Sequence, residues 1–324
     1  HNTPASVPLS FQRARQLFTG GMTNPLNAPL SNLENGKMGP AKTSPQHACA
    51  TFTYETVAFL RETHASPFFA YLAFDGPHDP HIVPDDFPVR YDPEKIPLPA
   101  NFLPQHPFNN GEMVVRDEQL LPWPRTPAAI RAMLADYYRY ISYLDLLIGR
   151  VLDTLDASPH ATNTIIVFAA DSGVARGSHG LIGKQNLYEP SMRVPLIIAG
   201  PGLPANRTSD AMCYLYDVLP TLGALAGVTG PKASEGLDLS PMLRDPGQPA
   251  RPSLVFAYQN VQRAYRDPRY KLIRYPQVDQ TQLFDLVVDP DERTDLAAQP
   301  EHAARIAAQK DRFDHCVSLL SRQV

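Results

Sequence analysis

The stretch that decides the fold runs from residue 163 to residue 202. It begins Asn163-Thr-Ile-Ile-Val-Phe-Ala-Ala-Asp171 and ends Val194-Pro-Leu-Ile-Ile-Ala-Gly200-Pro-Gly202. Each end holds a short apolar run that is closed by a turn, and neither run alternates with polar residues. Continuous apolar runs of this length are typical of strands that are covered on both faces by helices. We therefore predict two buried strands of an α/β fold here, with a polar loop between them.

Further elements extend this pattern in both directions. Residues 67–74 form a third apolar run, and helical patterns occupy residues 48–62, 128–154 and 210–227. The helix at 128–154 carries an apolar stripe at helical spacing: Ile130, Met133, Tyr137, Ile141, Leu144 and Ile148. Between residues 76 and 127 lies a Pro-rich stretch without periodicity, which we interpret as a long loop that borders a site. Because strands and helices alternate, we predict a largely parallel sheet in an α/β domain over residues 1–250.

The pattern changes after residue 250. Short apolar segments at 254–258, 261–265, 270–275 and 282–286 are separated by turns, which is typical of an antiparallel meander. A helical pattern follows from about residue 300 to 320. We predict a small antiparallel subdomain with a terminal helix over residues 251–324.

Composition narrows the classes of function. The 324 residues carry a net charge of −4 and a pI near 6.2, so no basic surface for nucleic acid or for an anionic membrane is indicated. No apolar run approaches the roughly 18 residues that span a bilayer. The three cysteines have neither disulfide-framework nor zinc spacing. The chain begins with His1 and shows no leader, so we expect it to start inside a longer protein; compartment and oligomeric state stay open.

Two of the predicted strands are followed by residues that can do chemistry. In open α/β sheets, ligands bind beyond the carboxyl ends of the strands. His78 and Asp171 follow two such strands, and Lys184 lies 13 positions beyond Asp171. A hydrogen-bonded loop histidine and a solvated lysine are the ordinary alternatives for His78 and Lys184. For Asp171, a metal ligand and a helix cap are comparable interpretations, because a buried carboxylate needs a cation or donors.

The same segments carry a resemblance over nearly the whole chain. Residues 163–173 followed by 177–202 resemble the signature of sulfatases in the alkaline phosphatase superfamily, and residues 67–80 are similar to that family's strand ending in Pro-His-x-Pro. Residues 270–274, 282–286 and 289–297 resemble its carboxy-terminal subdomain. The resemblance implies an alkaline-phosphatase-like α/β/α sandwich with a largely parallel sheet and a small antiparallel α+β subdomain.

The resemblance also implies roles for individual residues. Lys184 would hold the sulfate oxygens, since a compact ammonium suits a group that gains negative charge in the transition state. His78 would contact sulfate and protonate the leaving alcohol, a task for which imidazole is suited. His179 would contact substrate. His1 would be the last residue of a segment that assists the release of sulfate.

A calcium site follows from the same resemblance. Asp171 would be a calcium ligand, in keeping with the preference of this hard cation for carboxylate oxygen. Ser172 would occupy the next ligand position, where the family usually has Asn or His. A hydroxyl is a poorer ligand, so this departure leaves the strength of metal binding open. If these assignments hold, His78, Asp171 and Lys184 should converge on one pocket.

The attacking group of the family is absent from these residues. Sulfatases use a formylglycine made from Cys or Ser in a Cys/Ser-x-Pro/Ala-x-Arg motif, and the sequence contains no such motif. We expect the nucleophile and two more carboxylates to lie upstream, and the chain by itself to be inactive. The expected function is hydrolysis of a sulfate ester of a carbohydrate or another alcohol. An inactive sulfatase-like binding protein and a phosphoester or phosphonate ester hydrolase remain alternatives.

Overall fold

The computed structural model describes residues 5–230, 234–245, 247–248 and 251–320, without the side chains of 317–320. The chain divides into two compact units. The first unit is His1–Pro97 with Arg131–Thr164, and the second unit is Leu98–Ile130 with Ile165–Val324. This division differs from the boundary that we predict between residues 250 and 251, which stays a prediction.

The first unit is mainly helical in its described part. Its helices are α1 (Val7–Ser10), α2 (Ala48–Leu60) and α3 (Pro127–Asp156), of which α3 begins in the second unit. Four two-residue strands form two antiparallel pairs, β1 with β4 and β2 with β3: β1 (Pro29–Leu30), β2 (Leu33–Glu34), β3 (Lys37–Met38) and β4 (Lys42–Thr43). The predicted helices at 48–62 and 128–154 are confirmed as α2 and α3.

The core of the first unit lies between α2, α3 and the loop that follows residue 80. It contains Cys49, Ala50, Val83, Phe87, Tyr140, Tyr143, Leu144 and Leu147. The predicted stripe on α3 is partly wrong, because Ile141 is exposed whereas Tyr140 and Leu147 are buried. The apolar positions of α3 form two overlapping rows at helical spacing. The row with Tyr140, Tyr143 and Leu147 faces the core.

The prediction of a buried strand over residues 67–74 is wrong. These residues form no ladder with any strand in the described part of the chain. Leu72 and Phe74 pack against a small cluster around Ala28 and Phe52, whereas Phe69 and Tyr71 point away and are 67% and 64% exposed. The segment is extended and covered on one side only, so its continuous apolar sequence does not reflect burial on both faces.

The second unit contains the two strands that decided the predicted fold. They are β5 (Ile166–Ala169) and β6 (Leu196–Ala199), and they pair antiparallel with Ile166 opposite Ala199. Every strand ladder among the described residues is antiparallel, so the expected parallel pairs are not found in this part of the chain. Phe168 and Ile197 are exposed, and these strands are therefore not buried on both faces. The loop between β5 and β6 reverses the chain, which an antiparallel pair permits without a crossover helix.

The remaining helices of the second unit are α4 (Glu189–Met192), α5 (Val218–Ala226), α6 (Ser240–Arg244) and α7 (Ala303–Leu320). Helix α5 ends at Ala226 and is capped by Gly227, the predicted stop, which has a left-handed φ of 68°. It begins later than predicted, since residues 210–214 are not helical and residues 215–217 form a 3₁₀ turn. Within the described residues, no helix combines the length and the apolar character needed to cross a membrane.

The antiparallel meander is confirmed. Its four strands follow each other in sheet order: β7 (Leu254–Tyr258), β8 (Gln262–Arg266), β9 (Tyr270–Tyr275) and β10 (Gln280–Asp285). One face of this sheet packs against the loop between β5 and α4, through a core that includes Ala264, Ile273 and Phe284 together with Leu187 and Tyr188. The sheet therefore supports the loop that carries the predicted site.

Candidate functional site

The loop that joins β5 to α4 carries four of the predicted site residues: Asp171, Ser172, His179 and Lys184. Its middle folds back on itself. The amide of Ala175 donates to the carbonyl of Gly183 at 2.9 Å, and the amide of Gly177 donates to the carbonyl of Leu181 at 2.7 Å. We call residues 171–188 the lysine loop.

Residues 98–130 pack against the lysine loop. Phe102 forms a β-bridge with Ser178. Gly180 has a φ of +74°, and a Cβ at this position would lie only 2.4 Å from the carbonyl carbon of Gln105 and 2.5 Å from the nitrogen of His106. No side chain fits there, so the glycine allows the two backbones to approach each other.

Lys184 is half-buried at the end of this fold-back. Its ammonium group makes no hydrogen bond or ion pair with any residue that the structure describes. Its charge nevertheless acts on the nearby carboxylate of Asp117. Burial raises the pKa of Asp117, but the hydrogen bond from Gln185 and the charges of Arg116 and Lys184 outweigh burial and lower that pKa. The ammonium of Lys184 therefore acts on Asp117 through its charge but is not held by a direct contact with that carboxylate.

Two adjacent carboxylates that sequence analysis does not identify hold the chain on either side of Lys184. Asp117 accepts a hydrogen bond from Nε2 of Gln185 at 2.9 Å. Glu118 accepts one from the amide of Gly183 at 2.8 Å. Both lie in a 3₁₀ helix, Arg116–Leu120, within the Pro-rich stretch. Because that stretch has no periodicity and no recognisable motif, no sequence signal could have identified them.

His179 is packed rather than presented to solvent. Its ring is stacked on Tyr188, with ring centroids 3.7 Å apart, and the residue is 6% exposed. Nδ2 of Asn101 lies 3.0 Å from its Nε2. Burial, with smaller contributions from the charges of His106 and Lys271, lowers the pKa of His179 to about 3. Contact with substrate would require the ring to leave this stack, so the geometry favours a structural role.

A buried ion cluster lies at the end of the lysine loop, where α4 begins. Nζ of Lys271 lies 3.1 Å from Oε1 of Glu189 and 2.9 Å from Oε1 of Glu292. Arg266 contacts Glu189 at 3.2 Å, and Glu292 accepts a hydrogen bond from the amide of Glu189 at 2.7 Å. Burial raises the pKa of Glu292, although the charge of Lys271 opposes this effect. The cluster links β9 and the segment after β10 to the lysine loop.

Asp171 and Ser172 are the predicted ligands for calcium. Asp171 lies two residues beyond the end of β5 and is exposed, and its carboxylate has no hydrogen-bond or ion-pair partner among the described residues. A free carboxylate oxygen fits a hard cation. The described part of the chain contains no group of three or more His, Cys, Asp or Glu residues that could hold a metal ion. Asp171 therefore fits as one ligand of an incomplete set.

His78 belongs to the first unit. Its side chain is exposed, and Nδ1 lies 2.9 Å from the carbonyl oxygen of Asp79 and 3.7 Å from Oδ2 of the same residue. The amide of His78 donates to the carbonyl of Asp75 at 3.2 Å, which closes the turn. The backbone thus occupies Nδ1 and leaves Nε2 as the ring nitrogen for a ligand.

The remaining predicted site residue, His1, lies outside the described residues. The predicted convergence joins His78 of the first unit with Asp171 and Lys184 of the second unit, and it stays a prediction. Within the second unit, the structure places Asp171 and Lys184 on one loop.

The family of the chain follows from comparison with known proteins. Residues 14–228 match the family model described as sulfatase. The chain belongs to the sulfatase family. Residues 177–317 also match the model described as N-sulphoglucosamine sulphohydrolase, C-terminal. This second match spans both Lys184 and the four-stranded sheet, in agreement with the resemblance found in the sequence.

Curated relatives of this sulfatase chain include several named enzymes. The choline-sulfatase of Rhizobium meliloti is 33% identical over 238 residues, which are 70% of this chain and 46% of the relative. A sulfatase of Formosa agariphila is 27% identical over 259 residues, 76% of this chain and 49% of the relative. The chain therefore spans about half the length of the curated relatives it matches.

Solved structures confirm the fold class. A protein solved in complex with its substrate D-glucosamine-2-N,6-O-disulfate matches 97% of this chain and 76% of its own, with a TM-score of 0.74 and 21% identity. The phosphonate monoester hydrolase of Silicibacter pomeroyi matches 95% of this chain and 67% of its own, with a TM-score of 0.73 and 23% identity. At these identities the likeness establishes the alkaline-phosphatase-like α/β fold and not the reaction.

Proposed function

We propose that this sulfatase chain contributes the sulfate-binding part of a sulfuric ester hydrolase, in which Lys184 contacts the sulfuryl oxygens. The observation that carries the proposal is the state of Lys184. The half-buried Lys184 forms no hydrogen bond or ion pair through its ammonium with the described residues, although its charge acts on the carboxylate of Asp117, and it stands in the segment that resembles the sulfatase signature. A positive charge held in this way is stabilised further when negative charge develops on the bound group, which is the requirement for transition-state stabilisation.

His78 is the proposed general acid. A doubly protonated ring would donate Nδ1–H to the carbonyl of Asp79, which lies 2.9 Å away, and present Nε2–H to the oxygen of the leaving alcohol. Transfer of that proton would prevent the release of a high-energy alkoxide. His1 would act later, in the release of sulfate, as the resemblance implies.

Calcium and formylglycine complete the proposal. Asp171 would be one calcium ligand, with Ser172 beside it, and the bound ion would supply positive charge to the sulfuryl oxygens. A formylglycine from a Cys/Ser-x-Pro/Ala-x-Arg motif outside these residues would supply the nucleophile. Without that group, the described residues can bind and orient a sulfate ester and deliver a proton.

The proposed substrate is a sulfate ester of a carbohydrate or of another small alcohol. Support comes from the names of relatives, which include an N-acetylglucosamine-6-O-sulfatase and a delta 4,5-hexuronate-2-O-sulfatase of Bacteroides thetaiotaomicron. The fold neighbour bound to a glucosamine disulfate agrees with this substrate class.

Ser172 favours a second candidate function. Because a serine hydroxyl is a poorer ligand than the Asn or His usual in the family, the complete protein would bind sulfated ligands without turning them over. A phosphoester or phosphonate ester hydrolase is the third candidate, supported only by fold likeness to phosphonate monoester hydrolases.

The decisive experiment uses the protein expressed from its complete reading frame. Hydrolysis of 4-nitrophenyl sulfate, 4-nitrophenyl phosphate and sulfated monosaccharides is measured for the wild type, Lys184→Met and Lys95→Met. Lys95 is an exposed lysine of the first unit and serves as the control. We expect hydrolysis of sulfate esters, a loss of about 10²–10³-fold in kcat/KM for Lys184→Met, and no change for Lys95→Met.

Three results would contradict the proposal. Binding of inorganic sulfate without turnover of any sulfate ester would favour the inactive binding protein. Faster turnover of the phosphate ester would favour the phosphoester hydrolase. Equal activity of Lys184→Met and the wild type would remove Lys184 from the site.

A further inference from the structure

Glu118 is a buried carboxylate whose hydrogen-bond donors are two backbone amides and one buried arginine. The residue is 3% exposed. Its Oε1 accepts from the amide of Gly183 at 2.8 Å, and its Oε2 accepts from the amide of Ile182 at 3.1 Å. Nη2 of Arg125 donates to the same Oε2 at 2.8 Å. The carboxylate thereby fixes the amide groups of the two residues that precede Lys184.

Arg125, the charged partner of Glu118, is itself held rigidly. Its side chain is fully buried, and Nη2 also donates to the backbone carbonyl of Glu118 at 2.7 Å. Its guanidinium lies over the ring of Trp123, 3.5 Å from the centroid, and bonds the carbonyl of Leu121. A buried charge pair of this kind contributes little net stability in general, and its best-attested role is to specify one geometry.

The position before Lys184 is shaped to receive this carboxylate. A Cβ on Gly183 would lie 2.9 Å from Oε1 of Glu118 and 2.9 Å from Cβ of Asp117. Only a residue without a side chain allows the peptide to come so close. On the other side of Lys184, Gln185 is held by Asp117 at 2.9 Å. The backbone around Lys184 is therefore anchored at both neighbours.

We propose that Glu118 is a positioning residue for Lys184, whose buried carboxylate sets where the lysine ammonium stands to meet the sulfuryl group. This inference rests on the proposed function, because it assigns to Glu118 an effect on that reaction. Lysine has a long and flexible side chain, so the place of its ammonium depends on how firmly its backbone is fixed. Functional groups must be held within about 0.5 Å of the productive geometry.

The test is a double-mutant cycle in the complete protein. kcat and KM for a sulfate ester and the Kd for inorganic sulfate are measured for the wild type, Glu118→Gln, Lys184→Met and the double variant. An amide in place of the carboxylate presents an N–H₂ group to donors and cannot accept all of them. We expect Glu118→Gln to lower kcat/KM by about 10–100-fold, and by less than about 3-fold when Lys184 is already methionine, since the two residues act as one unit.

Asp217 provides a matched control in the same unit. Its buried carboxylate also accepts from two backbone amides, those of Tyr214 at 2.7 Å and Leu237 at 2.8 Å, and from the side chain of Arg251. Asp217→Asn should therefore lower the thermal stability as Glu118→Gln does. Its effect on kcat/KM should be small and the same with or without Lys184.

The outcomes separate the two proposals. If Lys184→Met retains full activity, the proposed function fails. If Lys184→Met loses activity while Glu118→Gln does not, or if Glu118→Gln loses the same factor in both backgrounds, the positioning role alone is wrong. Glu118→Asp, which keeps the charge but shortens the reach, should give an intermediate loss.

Amide hydrogen exchange gives a readout that does not require a folded variant. In the wild type, the amides of Ile182 and Gly183 should exchange only through global unfolding. Rapid local exchange at both amides would show that Glu118 does not fix them and would overturn the proposal.

Discussion

The buried ammonium of Lys271, on strand β9, lies 3.1 Å from Oε1 of Glu189 at the start of α4. With Glu292 2.9 Å from the same ammonium, the cluster joins the antiparallel sheet to the segment that directly follows the lysine loop. The lysine loop is thus held from two directions, by Glu118 before Lys184 and by Lys271 after it. Both supports are ionic and buried, so each should depend on all of its members.

Replacement of Lys271 by methionine should strongly destabilise the second unit. The substitution leaves Glu189 and Glu292 without their shared cation in a buried setting, and such a loss is worth about 3–5 kcal/mol. The loss is measured as the difference in the free energy of unfolding in urea between the wild type and Lys271→Met. Arg274→Met on the same strand is the control, because Arg274 forms a longer, more exposed pair with Asp314 at 3.8 Å; a change of about 1 kcal/mol or less is expected there. Equal effects of the two substitutions would contradict the prediction.

Alanine at Gly180 should disrupt the contact between the lysine loop and residues 98–130. Gly202 has a similar φ of +76°, but an added Cβ would meet no atom within 4 Å. Alanine at Gly202 therefore measures only the cost of the left-handed backbone conformation. Gly202→Ala should cost about 1–2 kcal/mol for the left-handed conformation. Gly180→Ala should cost at least about 2 kcal/mol more, because the methyl group meets backbone atoms that cannot move aside. Thermal unfolding of both variants gives the difference; similar melting temperatures would show that the loop can adjust.

Some of the fold could be predicted because it depends on local patterns. The meander β7–β10 and the helices α2 and α3 follow from turn spacing and helical periodicity. The buried face of α3 is less predictable from the sequence. Tyr140 and Ile141 are adjacent apolar residues, and only tertiary packing decides that Tyr140 points inward. Neither the antiparallel pairing of β5 with β6 nor the absence of a described ladder at residues 67–74 could be deduced, because a continuous apolar run does not encode whether a strand lies beside it or which strand that is.

The candidate site also has a part that the sequence predicts and a part that it does not. Asp171 is marked by the end of β5 and by the family signature, whereas Lys184 and His78 are marked by the family signature alone. Glu118 stands 64 residues before Ile182. Its contact with Ile182 depends on the packing of residues 98–130 against the lysine loop, which no short motif describes. Long-range pairing of an acidic residue with backbone amides leaves no periodic trace in the sequence, so the supports of Lys184 become visible only in three dimensions.

Cys49 should be unreactive toward thiol reagents in the folded protein. Its side chain is fully buried, and Sγ donates to Oδ1 of Asp75 at 3.1 Å. Burial, together with the negative charge of Asp75, raises the pKa of Cys49 far above its usual range, so almost no thiolate is present at neutral pH. Mass spectrometry after labelling with iodoacetamide should detect modification of the half-buried Cys213 well before Cys49. Modification of Cys49 at an equal rate would contradict its place in the core.

His179 should make the stability of the protein depend on pH in the mildly acidic range. Burial is the main cause that lowers the pKa of His179 to about 3 in the folded protein, against about 6.5 for an exposed histidine. Between these values the unfolded chain binds a proton that the folded chain does not, so the free energy of unfolding falls as the pH falls. The slope from this residue is about 1.4 kcal/mol per pH unit, or about 2 kcal/mol between neutral pH and about pH 5.

Substitution of His179 by glutamine isolates this contribution. His47 and His106, whose pKa values are also lowered by burial, add slopes of the same sign and remain in the variant. Urea unfolding between about pH 7 and 5 should therefore give a shallower slope for His179→Gln than for the wild type. Tyr275→Phe is the control, because it removes a buried hydroxyl that donates to Gln282 at 3.0 Å and to Tyr188 at 3.3 Å but bonds no histidine directly. Tyr275→Phe should lower stability equally at each pH. A wild-type slope retained by His179→Gln would show that burial does not hold the His179 ring neutral.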